Sequence, residues 1–248
     1  MNTAPVPLEP ASRTEDGVRL ASTVWRAGGG WRAIASALVG GGIGPVRWVL
    51  NAQVPGGYSR TDPVAHLGEL AASHGLDGPG VGMLTAAAVE RTVRGADGGV
   101  AVAATVGLRV PTWAAAPEGA PDPELAPMLL DGPPRPRGEA PPARSAPRGP
   151  WHPGTINILA VVPVPLTDAA LVNAVVTVTE AKTQALLEAG YPCTGTASDA
   201  VCVAVPGSGD PEPFAGPRSV WGSRLARAVH EAVHAGALGF GARPEQRR

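Results

Sequence analysis

The chain has 248 residues, 44% hydrophobic and 17% charged, with 20 basic against 21 acidic side chains. That balance excludes a wholly disordered chain and leaves no positive surplus for a polyanion, so no nucleic-acid partner is expected. Gly (33) and Pro (28) are abundant while aromatic residues make up only 4%, which predicts many turns, and Lys182 is the one lysine.

Cys193 and Cys202 are too few for a disulfide framework and show no metal-ligand spacing, which fits a reducing compartment. Residues 1–16 carry no basic cluster followed by an apolar core, and the apolar run 156–166 is interrupted by Pro163 and Pro165. The expectation is a soluble, cytoplasmic protein without a membrane span.

In chain order, residues 1–16 read as a frayed start to a single domain over 17–238. Strands are predicted over 18–24, 33–39 and 46–54, with a Gly-rich turn at 40–44. Asp62 as N-cap and Pro63 at the first helical position open a helix carrying Leu67, Leu70 and Ala71. Strands over 81–84 and 100–108 flank a short predicted helix over 87–94. Prolines then recur through about 111–153 without apolar periodicity, the pattern of a linker or long loop. Beyond this insert lie a buried strand over 155–162 and the longest helix, capped by Asp168 and stopped by Gly190. A strand over 201–205, a helix over 218–235 and a frayed tail over 239–248 complete the chain. Helices interleaved with partly adjacent strands predict an α+β fold: a mixed sheet with packed helices, an αββα layered sandwich being one such arrangement.

On the long helix, Asn173, Thr177, Glu180, Gln184 and Glu188 share a polar arc opposite Leu171, Val175, Val178, Leu186 and Ala189. Lys182 breaks the pattern by falling in the apolar arc, where a lysine must snorkel, pair with a carboxylate or act as a functional group. Thr194, Gly195, Thr196, Ala197, Ser198 and Asp199 then form a small polar loop that feeds a strand, a place where backbone N–H groups can approach a ligand. His230, Glu231 and His234 fit the zinc-peptidase pattern H-E-x-x-H, but the third ligand is missing. The glycines at 40–44 end at Pro45 and complete no nucleotide fingerprint.

Several stretches together resemble the adenosylcobinamide amidohydrolases of corrinoid salvage. They are Asn51-Ala52-Gln53-Val54-Pro55 with Tyr58, Asp62 and Pro63; Val81-Gly82-Met83-Leu84-Thr85; Gly154-Thr155-Ile156-Asn157; Thr179-Glu180-Ala181-Lys182-Thr183; Thr194-Gly195-Thr196 with Asp199; and Phe214 through Gly222. The resemblance implies hydrolysis of the amide that joins aminopropanol to the corrin ring, giving adenosylcobyric acid. An amide is inert, so the site must activate water or a nucleophile, stabilise an oxyanion and protonate the leaving amine. Glu180, Lys182 and Asp199 are the expected catalytic residues, although an ideal helix sets Glu180 and Lys182 about 160° apart. Thr155 is an alternative nucleophile for which no base can be named. The expected substrate-binding residues are Asn51, Asp62, Thr155, Asn157, Thr183, Thr196, Arg218 and Trp221. A corrinoid is the expected small-molecule partner, with no cofactor and no metal, and a homo-oligomer is allowed. The competing readings are a non-catalytic corrinoid carrier or regulator and a zinc peptidase through His230 and His234.

Overall fold

The apolar residues sort into three clusters, and the architecture follows from the faces that must meet to bury them. The structure is a computed structural model and describes residues 4–118 and 154–241. In these, the strands are β1 (Leu8–Glu15), β2 (Val18–Ala35), β3 (Gly42–Gln53), β4 (Gly80–Thr85), β5 (Val93–Asp97), β6 (Val100–Gly107), β7 (Pro111–Thr112), β8 (Thr155–Val161), β9 (Gly195–Thr196) and β10 (Ala200–Pro206). The helices are α1 (Pro63–Ser73), α2 (Asp168–Glu188) and α3 (Val220–Gly241).

Eight strands form one mixed sheet in the order β4-β3-β2-β10-β8-β6-β5, with β1 added beside β2, while β7 and β9 pair separately. The pairs β3/β4 and β8/β10 are parallel, and the remaining pairs are antiparallel. The long strand β2 serves both halves of this sheet, pairing with β1 through its amino half and with β10 through its carboxyl half. Between Arg26 and Trp31 its register with β3 shifts, at a point where Gly28 and Gly30 take φ of 75° and 84°. Glycine adopts that conformation without steric cost, and a bulge there bends and twists the strand.

The bend folds the sheet over on itself. Asn51 on β3 donates to Thr105 Oγ1 on β6 at 2.8 Å and accepts from Asn157 Nδ2 on β8 at 2.8 Å. In a flat sheet of this order, three spacings of about 4.8 Å would hold β3 away from β8. The inner faces instead meet through Trp25, Val49 and Met83 from one half and Ala101, Leu159 and Cys202 from the other. Outside the first half, α1 packs Leu67 and Leu70 against Trp48, Leu50 and Ala52. Outside the second, α2 and α3 cover Val102, Ile156, Ile158 and Val203 with Leu171, Val178, Leu186, Leu225 and Val229. The result is four layers in αββα order, an α+β fold built on a mixed sheet as the alternation of elements predicted.

Several expected boundaries move for identifiable reasons. Within the segment read as frayed, residues 8–15 form β1, held by a full register against β2. The helix expected over 87–94 is only a 3-10 turn at Val89–Arg91 followed by β5. Thr92 Oγ1 closes that turn on Val89 O at 2.7 Å, and Gly95 lies so close to α3 that a Cβ would sit 2.1 Å from Ala228 O. The strands expected over 18–24 and 33–39 belong to one strand, β2, apart from residues 36–39. On α2 the cap is Thr167, whose hydroxyl accepts from Ala170 N at 3.2 Å, while Asp168 pairs with Arg32 at 2.5 Å. Helix α3 starts at Val220 and continues to Gly241, into the expected tail. Of the Pro-rich insert, residues 119–153 lie outside the described residues. No helix among the described residues is long and apolar enough to cross a membrane.

Candidate active site

Asp199 organises one end of the sandwich. It immediately precedes β10, which runs parallel to β8 with Ala200 opposite Asn157, so its side chain reaches the first residues of β8. Oδ1 accepts from Ile156 N at 2.9 Å and from Thr196 Oγ1 at 2.5 Å. Oδ2 accepts from Lys182 Nζ at 2.5 Å and from Thr196 N at 3.2 Å. Four donors on one carboxylate tie together β8, the 194–199 loop and α2. This geometry makes Asp199 an anchor rather than a free base.

Lys182 is 7% exposed. Its place in the apolar arc of α2 is therefore resolved by pairing with a carboxylate, one of the outcomes that the helical projection left open. Gly195 makes the pairing possible, because a Cβ there would stand 2.3 Å from Asp199 Oδ2 and 2.5 Å from Lys182 Nζ.

Beside the ion pair lies a group of hydroxyls. Thr155 Oγ1 is 3.0 Å from Ser198 Oγ, and Ser198 Oγ donates toward Gly154 O at 3.4 Å. Thr155 is buried, and it pairs across to Gly107 at the carboxyl end of β6. Behind it, the Asn51, Asn157 and Thr105 bonds continue to Thr92 Oγ1 at 3.0 Å, and Asn157 also donates to Leu84 O at 3.0 Å. Thr183 stands at the edge of this centre, its hydroxyl shared between Thr179 O at 2.9 Å and Thr194 O at 3.3 Å. Thus Lys182, Asp199, Thr155, Thr196, Thr183, Asn51 and Asn157 gather at one end of the fold. Ser198 joins them, a member of the polar loop read over 194–199 that was not among the expected site residues.

Four other expected residues stand elsewhere. Glu180 is exposed on the outer side of α2, where it borders a surface groove with Thr183, Gln184 and Glu188. Asp62 is exposed at the start of α1 and is held by Arg60 through bonds of 2.9 and 2.8 Å. Trp221 packs under the turn between β5 and β6, where a Cβ on Gly99 would lie 3.7 Å from its ring, and Arg224 stacks 4.6 Å from the ring centroid. Thr155 pairs at the far end of β6, so at about 3.4 Å per residue that strand separates the two places by roughly 20 Å. Arg218 is exposed just before Trp221.

In the H-E-x-x-H stretch the two imidazoles of His230 and His234 stack at 5.6 Å, while Glu231 turns away from them. His230 Nε2 meets Glu188 Oε2 at 2.7 Å, whereas Glu231 accepts from Ala96 N at 3.0 Å on β5. Bonds from Gln184 and His230 hold the Glu188 carboxyl below its usual range. No group of three or more potential metal ligands occurs among the described residues. The thiols of Cys193 and Cys202 are free and buried, and burial pushes them up to about 11 and about 12.

Fold and site together define an α+β protein with a buried lysine, a carboxylate and several hydroxyls at the end of a folded sheet. Comparison with known proteins makes this specific. A family model described as adenosylcobinamide amidohydrolase matches residues 7–241, and the chain belongs to that family. An adenosylcobinamide amidohydrolase of Halobacterium salinarum is 39% identical over 154 residues, which is 62% of this chain and 56% of that protein. One from Methanosarcina mazei is 40% identical over 92 residues, 34% of this chain and 46% of that protein. The chain spans about half the length of these relatives. Among solved structures, the PH0078 protein from Pyrococcus horikoshii OT3 superposes over 94% of this chain and 83% of its own, with a TM-score of 0.44 and 12% identity.

Proposed function

We propose that the protein hydrolyses the amide between aminopropanol and the corrin ring of adenosylcobinamide, releasing adenosylcobyric acid for cobamide salvage. One observation carries the reading. The residues of three separate family-like stretches, Thr155, Lys182 and Asp199, lie within one hydrogen-bonded centre although 44 positions of chain separate the first from the last. Their shared place is what amide hydrolysis needs, since attack, oxyanion stabilisation and amine protonation must occur around one carbonyl carbon.

In this centre Lys182 supplies positive charge for the developing oxyanion, and Asp199 fixes its position. Thr155 and Ser198 supply hydroxyls for attack and proton transfer. Glu180 takes no part in bond breaking, because it stands on the outer side of the helix, and the corrin amides are bound instead by polar groups at the mouth, including Thr183 and Thr196. The chemistry is that of a hydrolase without a resident cofactor. The same reading places the protein in the cytoplasm, where its two thiols stay reduced.

The test incubates the purified protein with adenosylcobinamide and follows adenosylcobyric acid and free aminopropanol by chromatography and mass, with and without a chelator. Equal release under both conditions is expected. Retention of intact adenosylcobinamide by a folded protein that binds it would support a carrier instead.

A further inference from the structure

Thr155 poses a chemical problem. A threonine hydroxyl is a weak nucleophile unless a base stands beside it. Its hydrogen-bond partner is another hydroxyl, Ser198, and the nearby carboxylate of Asp199 already accepts four donors. The missing base is present in latent form, as the α-nitrogen of Thr155 itself, which becomes an amine when the bond before it is cut.

We infer that the chain cleaves itself between Gly154 and Thr155, and that the freed α-amine of Thr155 is the base for its own hydroxyl in amide hydrolysis. A proton path for the cut is already in place. Thr155 Oγ1 lies 3.0 Å from Ser198 Oγ, which donates toward the Gly154 carbonyl oxygen at 3.4 Å, a proton path from the attacking hydroxyl to the oxygen of the attacked carbonyl. Gly154 is confined, because a Cβ there would lie 2.6 Å from Gly107 O, 3.1 Å from Arg109 N and 3.2 Å from Thr196 Cγ2, so the position admits only glycine without a shift of its neighbours. Downstream, Asp199 grips Ile156 N at 2.9 Å and β8 pairs with both β6 and β10, which keeps the new terminus in place after the cut.

The step balances without an outside reagent other than water. Thr155 Oγ1 bonds to the Gly154 carbonyl carbon while its proton passes to Ser198, whose own proton moves to the carbonyl oxygen. Collapse breaks the Gly154–Thr155 C–N bond. The proton on the former carbonyl oxygen passes to that nitrogen as the bond breaks, leaving an ester on Oγ1 and a free amine. Water hydrolyses the ester, restoring the Thr155 hydroxyl and leaving a carboxylate on Gly154. An α-amino group ordinarily titrates at about 7.7–8.0, close to the range in which a general base works best at neutral pH.

The role of the freed amine rests on the amidohydrolase reading, but the cut can be measured without substrate. Intact-mass analysis of the purified full chain is expected to show residues 1–154 and 155–248 as separate chains that co-elute, with amino-terminal sequencing reading Thr-Ile-Asn. Thr155→Ser is expected to cleave and Thr155→Val to remain one chain, with circular dichroism melting confirming that the valine variant folds. Ser198→Ala is expected to slow the appearance of the two fragments about a hundredfold or more, the scale of a lost proton-transfer group. A single uncut chain that hydrolyses adenosylcobinamide would overturn this inference and leave the amidohydrolase reading intact, as would cleavage that persists in Thr155→Val. Cleaved protein that leaves adenosylcobinamide untouched would uphold the cut and overturn the amidohydrolase reading.

Discussion

At the scale of the residue, Lys182 and Asp199 are bound to each other by burial as much as by charge. Removing one partner strands the other in a poorly hydrated place, which typically costs about 3–5 kcal/mol. Lys182→Met is therefore expected to lower stability by about that amount, whereas Lys182→Met with Asp199→Asn should recover part of the loss, as read by urea unfolding. Gly195→Ala tests the same pair without touching either charge. Its methyl group would force Lys182 from Asp199, and displacement of about 1 Å at a reacting centre can cost about a hundredfold in turnover. A Gly195→Ala variant that releases aminopropanol from adenosylcobinamide as the wild type is proposed to do would show that this pair is not needed.

His74 provides a pH readout. Burial depresses its imidazole below the usual 6.5, so the folded state disfavours protonation. Its stabilising contribution is complete above pH 6.5 and is lost as pH falls from there through the lower folded value. Its Nε2 stands 3.3 Å from Ser22 Oγ. Urea midpoints of the wild type should therefore fall more steeply below pH 6.5 than those of His74→Gln.

At the scale of the element, the fold depends on joining two halves of one sheet. The Asn51, Asn157 and Thr105 bonds cross that junction where strand ladders do not. Asn51→Ala removes one hydrogen bond each from Thr105 and Asn157, which keep Thr92 and Leu84 as partners, and at about 0.5–1.5 kcal/mol per bond equilibrium unfolding should show a loss of about 1–3 kcal/mol in all. Burial patterns made much of this scale legible from sequence. Strong apolar runs marked β6, β8 and β10, and Asp62 with Pro63 marked the start of α1. The missed elements have no such signal. In β1, the stretch Leu8-Glu9-Pro10-Ala11-Ser12-Arg13-Thr14-Glu15 lacks a continuous apolar face and becomes a strand because β2 offers it a partner. In β5, Gly95 reads as a helix breaker at most, and its close fit under α3 is a tertiary fact. The polar arc drawn on α2 also fails at Thr177, which is fully buried because its hydroxyl donates to Ala215 O at 2.8 Å across the helix layer.

At the scale of the whole molecule, the folded sheet explains which site residues sequence could bring together. Lys182 and Asp199 are 17 positions apart and were visible as an anomaly on a helix and an acid at a strand mouth. That Asn51 meets Asn157 required the bend in β2, for which three glycines at 28–30 were the only local sign. That Trp221 stands at the opposite end of β6 from Thr155 was not legible, since spacing along the chain says nothing of which end of a strand a loop joins. The same closure protects the two thiols, with Cys202 between the sheet halves and Cys193 in the helix-covered core. Both should resist alkylation in the native protein at pH 8 and react together at the rate of global opening. A fast phase for either would show local opening of its layer.

The most direct test compares wild type and Asp199→Asn for adenosylcobinamide binding and for release of aminopropanol under the same conditions. The account predicts that the variant binds the corrinoid within about tenfold of wild type while losing at least a hundredfold in release, the size of effect expected when an electrostatic group at the reacting centre is removed. Release from Asp199→Asn at the wild-type rate would contradict the claim that this centre breaks the amide bond.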